Sequence, residues 1–122
     1  MRTEQEKTNI QKIADFADKS LLIVDDDNPF RDRLARAMEK KGFKVSQADS
    51  VKEGISIAKN APPAFAVIDL RLGDGSGLDV VKEVRRLKND SKVVMLTGYG
   101  NIPTAVAAVK AGAIDYIPKP AD

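Results

Sequence analysis

The stretch AFAVIDLRLGDGSGLD, residues 64–79, is the part of the sequence that decides the fold. It opens with a continuous apolar run, Ala64–Ile68, which ends at Asp69 and is followed by a loop rich in Gly, Asp and Ser. An unbroken apolar strand is typical of a parallel sheet that is covered on both faces. A helix is predicted after the loop, with one apolar face formed by Leu78, Val81, Val84 and Leu87.

The same alternation of strand and helix extends in both directions along the chain. Five short apolar runs are predicted as strands: Leu21–Val24, Phe43–Ala48, Ala64–Ile68, Val93–Leu96 and Ile114–Ile117. Helical patterns separate these strands. Asn28 is the predicted N-cap of the first helix and Ser50 that of the second, and residues 101–111 are predicted to form the fourth helix. Right-handed crossovers then favour an α/β, flavodoxin-like, doubly wound five-stranded parallel sheet of strand order 2-1-3-4-5.

Composition excludes several kinds of site. The chain has 122 residues, enough for one domain, and contains neither cysteine nor histidine. Disulfides, thiolate metal sites and imidazole bases are therefore excluded. A net charge of +2 gives no argument for nucleic acid. With no secretory signal and no apolar run near the ~20 residues that a membrane helix needs, we expect a cytoplasmic protein that does not bind membranes.

Chemically useful side chains follow the predicted strands. Asp25 and Asp26 follow the first strand, Asp69 the third, Thr97 the fourth and Lys119 the fifth. Ligands of such sheets bind at the carboxyl ends of the strands, so these residues are expected to converge. Clustered carboxylates repel one another unless a cation is present, and a set of oxygen ligands suits Mg²⁺.

This set of groups fits phosphoryl transfer to a carboxylate. Asp69, at the centre, is the predicted nucleophile, and Mg²⁺ and Lys119 would neutralise charge on the transferred oxygens. Other acidic residues have simpler interpretations: Asp27 as a helix cap or turn residue, and Asp74 and Asp79 as solvated loop and helix-start residues. The segment Gly73–Gly77 lacks the spacing and the lysine of phosphate-binding loops, and is interpreted as a flexible turn.

Four segments resemble the CheY-like receiver domain of two-component response regulators: LLIVDDD (21–27), VIDLRLGDGSGLD (67–79), VVMLTGYG (93–100) and AIDYIPKP (113–120). The resemblance implies that Asp69 is the phosphoacceptor. It also implies a Mg²⁺ site made of Asp26, Asp69 and the backbone carbonyl of Arg71, with Asp25 acting through water. Thr97 would bind a phosphoryl oxygen, Lys119 would pair with phosphorylated Asp69, and Tyr116 would be an aromatic switch residue.

The sequence is particularly similar to the RegA/PrrA/ActR group of redox-responsive regulators. That resemblance implies a sensor histidine kinase as phosphodonor. The fourth helix (residues 101–111) and the fifth strand (Ile114–Ile117) lie between the site and solvent, so they are the expected output surface, and a second copy of the chain is a further expected partner. The resemblance implies DNA binding only through an output domain that this chain does not contain. The protein is expected not to be an enzyme, apart from phosphorylation and dephosphorylation of its own Asp69.

Three departures from the family pattern concern the two ends of the chain and the loop after Asp69. The chain stops at Asp122, where the family's fifth helix would begin, so the receiver domain at residues 20–122 is expected to be truncated. Residues 1–19 form an N-terminal extension, and an apolar stripe suggests that residues 4–19 form an extra helix that covers the gap in its own molecule or in a partner. Gly73 stands where many receivers have proline, which predicts a more mobile loop after Asp69.

Two other functions compete with a phosphorylated switch. A receiver-like dimerisation or interaction module without phosphorylation would be expected to lack site residues, and none is lost here. An aspartyl-phosphate phosphatase would need a D-x-D motif, which Asp69-Leu70-Arg71 does not provide.

Overall fold

The computed structural model describes residues 18–98, 106, 108–113 and 115–119. The strands are β1 (Ser20–Val24), β2 (Lys44–Ala48), β3 (Phe65–Asp69), β4 (Arg71–Leu72), β5 (Gly75–Ser76), β6 (Lys92–Thr97) and β7 (Asp115–Pro118). The helices are α1 (Asn28–Lys40), α2 (Val51–Asn60) and α3 (Gly77–Leu87). Residues 106 and 108–110 are also helical, within the fourth predicted helix. The extra helix predicted at residues 4–19 falls almost entirely outside the described residues.

Five strands form one parallel sheet in the order β2-β1-β3-β6-β7. This confirms the predicted order 2-1-3-4-5, and every strand end lies within one residue of its prediction. The carboxyl ends of β1, β3, β6 and β7 therefore meet at one edge of the sheet, where the predicted site residues lie.

Both faces of the sheet are covered by apolar side chains, as continuous apolar strands require. Leu22 and Val24 of β1 belong to the cluster packed against α2 and α3, whereas Leu21 and Ile23 belong to the cluster on the α1 side. Adjacent residues of one strand thus point to opposite faces and are buried on both. Within the part of the chain that the structure describes, no helix is long and apolar enough to cross a membrane.

The first helix is capped one residue earlier than predicted. Asp27, not Asn28, is the N-cap, because Asp27 has extended backbone angles and its Oδ1 accepts a hydrogen bond of 3.1 Å from the N–H of Phe30. The predicted N-cap at Asn28 is therefore wrong, and the interpretation of Asp27 as a helix cap is confirmed. Ser50 caps α2 as predicted, by accepting a hydrogen bond from the N–H of Glu53.

The segment after Asp69 is not simply a turn. Strands β4 and β5 form a small antiparallel hairpin, in which Arg71 pairs with Ser76 and Leu72 with Gly75. Gly77 then begins α3 in close contact with the strand below it, and its N–H donates to the carbonyl of Leu70 at 2.7 Å. A Cβ at position 77 would overlap the carbonyl oxygen of Asp69 and lie 2.9 Å from its carbonyl carbon. Only glycine fits here without moving the backbone of Asp69.

We therefore expect Gly77→Ala to destabilise the fold by roughly 1–3 kcal/mol, the usual range for overpacking. Gly73→Ala is the matched control, because a Cβ there has no atom within 4 Å and Gly73 is not in the left-handed region. That substitution should be neutral or slightly stabilising. Urea denaturation of the two variants measures both effects, and equal stabilities would contradict the close contact at Gly77.

Candidate functional site

Three carboxylates meet at the carboxyl edge of the sheet. Asp25 directly follows β1 and is fully buried, Asp26 beside it is exposed, and Asp69 is the buried last residue of β3. One oxygen atom from each lies within 4.8 Å of the other two. The structure thus brings together the three acidic residues that the sequence placed at neighbouring strand ends.

The backbone around Asp25 is fixed from three directions. Its N–H donates to the carbonyl of Ala48 at 3.0 Å, and its carbonyl accepts a hydrogen bond of 2.8 Å from Arg31 Nη1. Its Oδ1 accepts from the N–H of Asp27 at 2.8 Å. Arg31 holds a second element in place, because its Nε donates a hydrogen bond of 2.9 Å to Gln47 Oε1 and so joins α1 to β2. Sequence reasoning missed Arg31, because its partners depend on how α1 sits against the sheet.

Lys119 supplies the positive charge at the centre of the cluster. Its Nζ lies 3.0 Å from both carboxylate oxygens of Asp25 and donates a hydrogen bond to Oδ1. It lies 3.6 Å from Asp69 Oδ2 and 3.8 Å from Asp27 Oδ2. Burial alone would lower the pKa of Lys119, but the hydrogen bond and charge of Asp25 outweigh it and the pKa is raised. The lysine therefore stays protonated.

An aromatic ring completes the surroundings of Lys119. Its ammonium lies 4.9 Å from the centre of the Phe30 ring on α1, within the range of a cation–π contact. The N–H of Lys119 donates to the carbonyl of Thr97 at 2.7 Å, which holds the end of β7 against β6. Phe30 was not among the predicted site residues, because that prediction was based on strand ends and Phe30 lies on α1.

Asp69 is a carboxylate in an unfavourable place. Burial, and then the negative charge of Asp25, raise its pKa from the usual 3.8 to about 6. Lys119 and the backbone N–H of Arg71 act in the opposite direction and limit the rise. Asp69 is consequently ionised for the most part at neutral pH, but at a cost in folding free energy.

The donor set fits a hard divalent cation. Asp25 Oδ2 is buried and has no hydrogen-bond partner among the described residues, although Lys119 Nζ lies 3.0 Å away. One lysine faces the carboxylates of Asp25, Asp27 and Asp69, and Asp26 is close by. Oxygen ligands with excess negative charge are those that Mg²⁺ and Ca²⁺ select. Asp25, Asp26 and Asp69 could hold such an ion. The predicted contribution of the Arg71 carbonyl stays a prediction.

The two remaining predicted residues lie on β6 and β7. Thr97 is buried at the end of β6, one residue beyond Leu96, which is paired with Asp69. Tyr116 is half-buried on β7, paired with Met95 and packed against the larger core cluster. Their predicted roles in binding a phosphoryl oxygen and in switching stay predictions.

Removing the charge of Asp69 should stabilise the cation-free protein. Since the folded-state pKa is raised, the stability that protonated Asp69 provides is complete below pH ~4 and is lost as the pH rises through about 6. In EDTA, Asp69→Asn should therefore exceed the wild type by roughly 2–3 kcal/mol at pH 8 and by little at pH 4. Thermal denaturation at both pH values measures this, with Glu39→Gln, at the exposed far end of α1, as control. A pH-independent difference would contradict it.

Comparison with known proteins agrees with this architecture. Residues 21–122 match the family model for the response regulator receiver domain. The chain is 66% identical over 105 residues to the acid tolerance regulatory protein ActR of Sinorhizobium medicae, covering 86% of this chain and 54% of ActR. It is 63% identical over 106 residues to the photosynthetic apparatus regulatory protein RegA of Cereibacter sphaeroides, covering 87% and 58%. The chain thus spans little more than half the length of these relatives.

A solved structure shows the same fold. The crystal structure of a response regulator from Burkholderia pseudomallei, with a phosphorylated aspartic acid, a calcium ion and citrate, superposes with a TM-score of 0.81 at 41% identity. The match covers 86% of this chain and 62% of that one. The chain belongs to the response regulator receiver domain family, and within it resembles the ActR and RegA group.

Proposed function

We propose that this domain is a phosphorylation switch, in which Asp69 accepts a phosphoryl group from a phosphohistidine of a sensor kinase in the presence of Mg²⁺. The observation that carries the proposal is the buried pair Asp25 and Asp69, which share Lys119 while one buried oxygen of Asp25 lacks a hydrogen-bond partner among the described residues. The B. pseudomallei regulator, with its phosphorylated aspartic acid and calcium ion, supports it by similarity.

In the proposed reaction, an Asp69 carboxylate oxygen attacks the phosphorus of the phosphohistidine. The phosphorus–nitrogen bond breaks, a phosphorus–oxygen bond to Asp69 forms, and the leaving imidazole nitrogen takes a proton. With a pKa of about 6, Asp69 is already mostly ionised at neutral pH, so that no separate base is required. A bound Mg²⁺ would neutralise charge on the phosphoryl oxygens, held by Asp25, Asp26, Asp69 and the carbonyl of Arg71.

Lys119 and Thr97 would respond to the new charge. Lys119 Nζ is 3.6 Å from Asp69 Oδ2, so a small movement away from Asp25 would pair it with the phosphorylated side chain. The Thr97 hydroxyl, on the neighbouring strand, would donate to a phosphoryl oxygen. Its movement would leave room for Tyr116 to turn inward. Dephosphorylation reverses the chemistry: water attacks phosphorus, the bond to Asp69 breaks, and phosphate leaves. This is the only catalysis we propose.

Output would pass through the surface that adjoins this strand edge. Val106 and Val109, on the helical segment after β6, and Ile117 on β7 are large apolar side chains that remain exposed. Exposed apolar surface is typical of protein interaction sites. We propose that this surface binds a second copy or an output domain, and that any DNA binding belongs to the longer protein. Transcriptional output follows the relatives, and the cytoplasmic location stays a prediction from the sequence.

Phosphorylation can be tested with a small donor. Incubation with acetyl phosphate and Mg²⁺ should add the mass of one phosphoryl group to the intact chain. Asp69→Asn should abolish this gain, because the attacking carboxylate is lost, and EDTA should suppress it. Glu39→Gln, which changes an exposed carboxylate at the end of α1 that lies away from the site, should behave as the wild type.

An unmodified wild-type chain under these conditions would contradict the proposal. It would instead favour the alternative of an interaction module that works without phosphorylation. Modification that persists in Asp69→Asn would show that another side chain is the acceptor.

A further inference from the structure

Asp74, at the tip of the β4–β5 hairpin, makes a contact that the proposed reaction does not use. Its Oδ1 accepts a hydrogen bond of 2.8 Å from the N–H of Val51, and its Oδ2 accepts one of 3.0 Å from the N–H of Lys52. These two donors are the first two amides of α2. The backbone hydrogen bonds lower the pKa of Asp74, so it is a carboxylate throughout the neutral range. Asp74 is an exposed turn residue, as predicted, but the prediction did not include these two hydrogen bonds.

The helix does not depend on Asp74 for its start. Ser50 is already the N-cap of α2, and its Oγ accepts a hydrogen bond of 3.1 Å from the N–H of Glu53. Asp74 takes two amides that this local cap leaves, at the end of the helix where the dipole favours negative charge. A residue 22 or 23 positions away along the chain thus adds a bond from the outside. Because α2 already has its own cap, the main effect of Asp74 is expected on the β4–β5 hairpin.

The hairpin needs such an anchor because of its composition. Gly73 and Gly75 flank Asp74, and glycine loses more backbone freedom on ordering than any other residue. A Cβ built on Gly73 meets no atom within 4 Å, so the chain around that position lies open. The two hydrogen bonds of Asp74 fix the tip to α2. The loop that was predicted to be mobile, because of Gly73, is thus hydrogen-bonded to α2.

The base of the same hairpin reaches the site. Arg71, two residues after Asp69, pairs with Ser76, and Leu72 pairs with Gly75. Ser76 then caps α3 by accepting a hydrogen bond from the N–H of Leu78 at 3.1 Å. A displacement of the tip is therefore transmitted through this short ladder to the backbone of Arg71. A backbone carbonyl can be aimed only by its own backbone.

We infer that Asp74 is a positioning residue for the cation site: by anchoring the hairpin to α2, it holds the backbone of Arg71 where its carbonyl can bind Mg²⁺ beside Asp69. The inference rests on the proposed function. Mg²⁺ demands nearly ideal octahedral geometry with short bonds, so small errors in one ligand reduce affinity. Residues that orient metal ligands typically change affinity by about 10–100-fold when removed.

The test compares two variants that remove hydrogen bonds from the same helix end. Asp74→Ala frees the hairpin as well as two amides of α2, whereas Ser50→Ala removes a cap of α2 and leaves the hairpin contact. Mg²⁺ affinity of the unphosphorylated full chain is measured by calorimetric titration. Asp74→Ala should weaken it about tenfold, the lower end of that range. Ser50→Ala should leave it unchanged, while the thermal midpoint falls in both variants.

A conservative variant and an NMR measurement sharpen the test. Asp74→Asn keeps one acceptor oxygen, so its Mg²⁺ affinity should fall between those of the wild type and Asp74→Ala. The amide resonances of Val51 and Lys52 should shift in both Asp74 variants without added metal, and that of Arg71 should shift with them. Asp74→Asn also serves where Asp74→Ala fails to fold.

Three outcomes would overturn the inference. If the Asp74 variants bind Mg²⁺ as tightly as the wild type, the inference is overturned and the proposed function is unaffected. Equal weakening in Ser50→Ala overturns the inference too, because the effect then comes from the stability of α2. A wild-type chain that neither binds Mg²⁺ nor accepts a phosphoryl group from acetyl phosphate overturns the proposed function and, with it, the inference.

Discussion

The sharing of one ammonium group between two buried carboxylates governs the site. Lys119 lies 3.0 Å from Asp25 and 3.6 Å from Asp69, and both carboxylates are buried. Removing one partner from a buried ion pair is costly, because the remaining charge keeps its desolvation penalty. The pair Asp25–Lys119 joins residues 94 positions apart, so strands β1, β3, β6 and β7 must be assembled before it exists. The order of the strands is thus a condition for the electrostatics, and not only for the core.

Much of this could be predicted from the sequence because it depends on periodicity and on strand ends. Continuous apolar runs identify buried parallel strands, and parallel strands place their carboxyl ends together, so Asp25, Asp26 and Asp69 could be grouped before any coordinates were known. The cap at Asp27 shows the limit of such reasoning. Asp27 and Asn28 are both good N-cap residues, and only the backbone angles decide between them.

What the sequence could not predict depends on side chains that reach across the fold. Arg31 contacts the carbonyl of Asp25 and the side chain of Gln47, and Phe30 contacts Lys119, only because of the rotation of α1 on the sheet. Asp74 has the composition of a solvated turn residue, and its bonds to α2 depend on the path of a glycine-rich hairpin. The conformation of this hairpin cannot be predicted from hydrophobic periodicity or from turn propensity. Gly77 is similar, since its need for glycine comes from the carbonyl of Asp69 below it.

The backbone and the charges around Asp69 have opposite effects on the stability of the fold. The backbone is held firmly by the sheet, by Gly77 and by the hairpin, whereas the charges are left poorly balanced, with a raised pKa at Asp69 and a buried Asp25 oxygen that lacks a hydrogen-bond partner among the described residues. A rigid frame around unbalanced charge means that a ligand of opposite charge gains binding energy without reorganising the fold. Because Lys119 contacts both Asp25 and Asp69, a small movement can shift it from one carboxylate to the other when the charge at Asp69 changes. A site with fully paired charges would be more stable, but it would have less free energy with which to respond to phosphorylation.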